Sequence, residues 1–153
     1  MKVLRQSDLS RADVETEQLI RNAMGQAWIA YHLAAGLAHR ALERGNPRTY
    51  CVNLLFKMSN DIHHFVLQSC KTCHSHHREY CQRFPIKKCT DFERWVFDLH
   101  NAVNERVQKP TETDFEKVRE HYRQQIVSLG DDANIMTISR AMPAIFGRYC
   151  YNC

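Results

Sequence analysis

Phe92-Glu93-Arg94-Trp95-Val96-Phe97-Asp98-Leu99-His100-Asn101-Ala102-Val103-Asn104 is the stretch that decides the fold. Phe92, Trp95, Val96, Leu99, Val103 and Val107 return at three- and four-residue steps, the period of one helix face. Thr90 with Glu93 three residues on reads as a capping box, and Pro110 lies beyond the stop. His100 and Asn104 share a face otherwise fit for burial, so they need polar partners from a ligand or from solvent.

The same period extends outward. Residues 26–43 carry Trp28, Tyr31, His32, Ala35, Leu37 and Leu42 at helical steps, closed by Gly45-Asn46-Pro47. A helix from about Thr49 to Gln68 puts Val52, Leu55, Phe56, Ser59, Ile62, His63, Val66 and Leu67 on one side. Cys70 opens a shorter helix to about Phe84, and a turn follows through Pro85-Ile86-Lys87-Lys88. A further helix spans Asp114 to about Ser128, and one at the N-terminus covers 8–22 with Ser10 as cap. No stretch alternates with period two for long. The fold expected is all-α: a four-helix bundle plus a short fifth helix. Residues 1–24 read as an N-terminal helical extension, 25–128 as the main domain and 129–153 as a less regular tail.

A chain of 153 residues with two Trp, seven Phe and six Tyr builds one real core. The net charge of +4 is mild and the signs alternate along the chain, which argues against nucleic-acid binding. Apolar stretches are short and interrupted, so neither a secretory signal nor a membrane span is expected. Seven cysteines without an export signal point to metal binding or redox chemistry rather than to structural staples.

Cys70-Lys71-Thr72-Cys73, followed by His74, admits three chemistries. It matches the attachment motif of a c-type haem. With His74, His76, His77 and Cys81 it supplies enough ligands for zinc, which would make the chain a helical interaction module without catalysis. Or it is a redox-active disulfide, with Cys70 at a helix start where unpaired amides lower a thiol's pKa and Lys71, His74, His76, His77 and Arg78 add positive potential. A dithiol in a helical bundle needs an electron acceptor, and a bound cofactor would supply one. Trp28 and His32, one turn apart with Ala35 and Gly36 beyond, make a wall fit for a planar cofactor or for core packing.

Gly25-Gln26-Ala27-Trp28 with His32, then Cys70-x-x-Cys73, then Trp95-x4-His100-Asn101-x-Val103-Asn104, then Lys109-Pro110 resemble, in this order, the Erv/ALR family of FAD-linked sulfhydryl oxidases. The resemblance covers about Gly25 to Tyr122, and the small size and divergent ends look most like the virus-encoded members. It implies a bundle that cradles FAD, usually as a homodimer. Carried over by position, Trp28, His32, His100, Asn101, Val103, Asn104 and Lys109 contact FAD, Gly25 and Gln26 lie in the adenine-side segment, and Tyr122 stands where the family has a Trp. Cys73 is then the flavin-proximal thiol and Cys70 the distal one. Cys150 and Cys153 fit the family's shuttle dithiol on a mobile tail. Electrons pass from protein dithiols, or a thioredoxin-like relay protein, to O2, which becomes H2O2. A virus-encoded oxidase would act in the infected cell's cytoplasm or in the virion. Three positions depart from the pattern: Phe97 and Phe115 occupy the places of a structural disulfide, Gln26 stands where Arg or Lys is common, and Gln108 replaces a Gly. Cys81 and Cys89 either bridge the loop through Pro85 or are free thiols, and Cys51 is either buried and inert or links subunits.

Overall fold

A computed structural model describes residues 11–21, 26–65 and 71–141. They form helices α1 (Arg11–Arg21), α2 (Gln26–Glu43), α3 (Arg48–Phe65), α4 (Lys71–Arg83), α5 (Phe92–Arg106) and α6 (Phe115–Leu129), with a short 3-10 turn at Ile86–Lys88. A seventh helix, α7, runs over 135–141. No strand occurs among the described residues, as the helical periods require.

α2 is the axis of the molecule. It packs against α1, α3, α5 and α6. Ala30, Tyr31, Leu33, Ala34, Ala35, Leu37 and Ala38 are all buried, so the helix has apolar or small residues around most of its circumference. Small residues let neighbours approach closely. A Cβ on Gly36 would lie 2.3 Å from Ile126 Cδ1 of α6. Ala35 and Gly36 therefore serve helix packing rather than extending a cofactor wall.

The N-cap of α5 is Asp91, whose carboxylate accepts from the Arg94 amide, and not Thr90. Glu93, expected as the capping-box partner, is buried instead and accepts two bonds from Arg123 of α6, at 2.8 and 3.1 Å. Phe97 and Phe115 meet edge-on with ring centroids 5.2 Å apart, an apolar contact joining α5 to the start of α6. Trp95 is buried and donates from Nε1 to the Phe84 carbonyl at 2.8 Å, fixing the end of α4 on α5.

The stretch after Gly130 is more regular than its Gly, Asp and Pro content suggests. Asn134 and Thr137 cap α7 reciprocally: the Asn134 amide donates to Thr137 Oγ1 and the Met136 amide to Asn134 Oδ1. Ile135, Ile138 and Ala141 join the core, and Arg140 pairs with the buried Asp13 of α1 at 2.9 Å. Arg40 of α2 and Arg44 just after it donate to the carbonyls of Ala133 and Asp131, which holds the connecting loop. Ser10 and the C-terminal Cys150 and Cys153 lie outside the described residues. Among the described residues, no helix is long and apolar enough to cross a membrane.

Candidate functional site

One helical turn of α2 brings Trp28 and His32 to the same side, where the middle of α5 meets them. The Trp28 and His100 rings stack with centroids 4.1 Å apart and planes within 10°. His32 stacks in the same way on Tyr122 of α6, at 4.5 Å and 6°. A hydrogen bond of 3.1 Å between His32 Nε2 and His100 Nδ1 ties the two pairs together. Burial, with His100 and His121 nearby, pushes the His32 pKa down to about 3. Burial and the Lys109 ammonium push His100 down to about 4. Both imidazoles are thus neutral at neutral pH, each offering one donor and one acceptor.

A cavity of about 420 Å³ opens beside this ladder. His32, Phe97, His100, Asn101, Asn104 and Tyr122 line it together with Pro110, Thr111, Glu112, Lys117, Val118 and His121. Asn101 donates to the Glu112 carbonyl at 2.7 Å and accepts from the Glu112 amide at 3.0 Å. Asn104 donates to the Pro110 carbonyl at 3.3 Å. The two asparagines therefore clasp the loop after α5 and shape the cavity rim. Val103 is buried in the core behind them.

Of the residues expected at the site, Trp28, His32, His100, Asn101, Asn104 and Tyr122 come together, while Lys109 is exposed, acts on His100 through its charge and is not among the residues lining the cavity. Gly25 lies outside the described residues, and Gln26 opens α2 with its side chain undescribed. Sequence reasoning missed Lys117 and His121. They sit one turn apart on α6, beside Val118 and Tyr122, and that i,i+4 polar pair was the available signal.

Cys70 lies outside the described residues. Cys73 falls in the first turn of α4, with its side chain undescribed. The basic surroundings expected for this pair need one correction. His77 is buried, and burial with His63 and His74 close by pushes its pKa down to about 3, so it carries no charge at neutral pH. Cys51, Cys81 and Cys89 are free thiols; burial pushes Cys81 up to about 11 and raises Cys51 and Cys89 as well. Among the described residues, no group of three or more His, Cys, Asp or Glu side chains is arranged to hold a metal ion.

The cavity suits a flavin dinucleotide. It has flat rings in His32, His100 and Tyr122, neutral imidazoles that donate and accept, and Lys117 to meet a diphosphate. Fold and site together define an all-α bundle in which an aromatic cavity lies between α2, α5 and α6, and α4, with Cys73 in its first turn, packs on α5. The model of the Erv1/Alr family matches residues 25–123, and the chain belongs to that family, one of FAD-linked sulfhydryl oxidases. No curated protein and no solved structure matches the chain.

Proposed function

We propose that this chain oxidises protein dithiols to disulfides, using Cys70 and Cys73 as the redox pair, FAD as cofactor and O2 as final acceptor. One observation carries the reading: α4, which bears Cys73, packs on the α5 helix that supplies His100, Asn101 and Asn104 to the cavity.

Trp28, His32, His100, Asn101, Asn104, Lys109 and Tyr122 would hold the dinucleotide, with Gly25 and Gln26 on the adenine side, Lys117 and His121 as further contacts, and Val103 backing the wall from the core. The chemistry FAD supplies when bound is acceptance of two electrons from the Cys70–Cys73 dithiol and their return to O2 as H2O2. The protein does the rest. A substrate thiolate attacks the Cys150–Cys153 disulfide, and a second substrate thiolate resolves the mixed disulfide, which leaves Cys150 and Cys153 as thiols. The same exchange then moves the disulfide from Cys70–Cys73 to the tail pair. The amides at the start of α4 stabilise a thiolate in its first turn, where Cys73 stands. A thioredoxin-like protein is an equally suitable dithiol donor. The acting form proposed is a homodimer in the cytoplasm of an infected cell or in a virus particle.

The visible spectrum of the purified protein tests the cofactor. A flavin band near ~450 nm supports the reading, and a colourless protein with stoichiometric zinc contradicts it. Cys150→Ala is expected to slow oxidation of a reduced protein substrate more than that of dithiothreitol. Equal losses, or none, would remove the tail pair from the scheme.

A further inference from the structure

Behind the cofactor-side wall lies a buried polar chain that the oxidase scheme leaves unused. Tyr31 of α2 is fully buried, and its hydroxyl meets both Ser59 Oγ of α3 and His77 Nε2 of α4, the latter at 2.9 Å. On the other side of the His77 ring, Nδ1 lies 2.7 Å from His63 Nδ1 of α3. One set of proton positions satisfies all four groups. The Ser59 hydroxyl donates to Tyr31, Tyr31 donates to His77 Nε2, and His77 Nδ1–H donates to His63. Three helices are thus joined at one point.

The placement matters because of what holds α4 elsewhere. Its C-terminal half is fixed on α5 by the Tyr80–Trp95 ring contact, by Trp95 donating to Phe84 and by the Glu79–Arg106 pair. Towards its N-terminus α4 meets α3 through the His63 and His74 rings, whose centroids are 3.7 Å apart, while a cavity of about 390 Å³ lies between α3 and the later turns of α4, beside His63, His77 and Cys81. Cys73 stands four residues, about one turn, before His77 on α4. Tyr31 stands one residue before His32 on α2 and stacks with Trp28 at 5.9 Å. The chain of hydrogen bonds therefore links the turn that carries Cys73 to the helix that carries the cavity wall.

We infer that His77, through its hydrogen bond to Tyr31, is a positioning residue that keeps the Cys73 turn of α4 in register with the wall of α2. The inference rests on the oxidase reading above. Apolar contact would hold α4 against α2 but would tolerate sliding, whereas a hydrogen bond between buried groups fixes their separation to within a few tenths of an ångström.

The test compares His77→Leu, His77→Gln and Tyr31→Phe in the full chain purified with its flavin. Leu and Gln are similar in size, and only Gln can accept from Tyr31. His77→Leu is expected to keep its flavin content and its KM for dithiothreitol while kcat falls by about tenfold or more, since small misplacements of reacting groups carry costs of that order. The long-wavelength absorbance that a thiolate beside oxidised flavin produces on anaerobic addition of dithiothreitol should weaken in parallel. His77→Gln should recover most of both. Tyr31→Phe, which removes one hydroxyl and is the milder change to the fold, should reproduce the loss if His77→Leu does not fold. Wild-type kcat and absorbance in His77→Leu or Tyr31→Phe would overturn the inference, as would a Gln variant no better than Leu. A wild-type protein that carries flavin and oxidises dithiothreitol keeps the oxidase reading intact in either case; one that does neither sinks that reading, and this inference with it.

Discussion

Gly45 and Gln108 occupy equivalent places at the ends of α2 and α5. In α2 the Asn46 amide returns to the Ala41 carbonyl and the Gly45 amide to Leu42, with Gly45 at φ 92°. In α5 Lys109 returns to Asn104 and Gln108 to Glu105, with Gln108 at φ 59°. Both are Schellman closures, but only glycine adopts the left-handed backbone without a Cβ clash. Gln108→Gly should therefore raise stability by about 1 kcal/mol and Tm by roughly 2–4 °C, read from a thermal melt. The three buried imidazoles give a second expectation. His32, His77 and His100 have pKa values of about 3, 3 and 4 in the fold, below the ordinary 6.5. As pH falls below 6.5 the unfolded chain takes up protons that the folded chain refuses. Their contribution is complete above that pH and is lost towards pH 4, by up to ~1.4 kcal/mol per pH unit for each imidazole. A Tm that stays level from pH 7 to pH 4 would contradict the burial of these rings.

α5 shows at the level of the element what periodicity reveals and what it conceals. Its apolar face was plain from Phe92, Trp95, Val96, Leu99 and Val103, all buried. Its cap was not, because Thr90 and Asp91 are both good capping residues and a local pattern cannot say which one turns inward. Glu93 supported the Thr90 reading only because its partner, Arg123, lies thirty residues away on α6. Asp91→Ala should destabilise by about 1 kcal/mol and Thr90→Ala by much less. Glu93→Ala should cost about 2 kcal/mol, less than a fully buried pair because Arg123 is partly in water. Urea denaturation of the three variants ranks them, and a larger loss at Thr90 than at Asp91 would refute the cap. α7 was legible in principle, since Asn134-x-x-Thr137 is a capping signal, but the neighbouring Gly130-Asp131-Asp132 and Pro143 drew attention to irregular backbone instead.

At the scale of the molecule, His32, His100, Asn101, Asn104 and Tyr122, named from separate motifs, line one cavity, with Trp28 stacked on His100. Lys117 and His121 escaped because they enter it only when α6 folds back over α2 and α5, an arrangement no local period encodes. The Tyr31–Ser59–His77–His63 chain escaped for the same reason: Tyr31, Ser59 and His63 read alone as helix-face residues, and His77 read as a partner of the cysteines rather than of Tyr31. The central claim is that Cys73 in α4 and the cavity between α2, α5 and α6 work as one thiol-oxidising unit. Oxygen uptake with dithiothreitol, measured on the wild-type protein and on Cys73→Ser, tests it most directly. The account predicts uptake with H2O2 formation in the wild type, and none in a Cys73→Ser protein that is still yellow. Turnover at the wild-type rate in Cys73→Ser would contradict it.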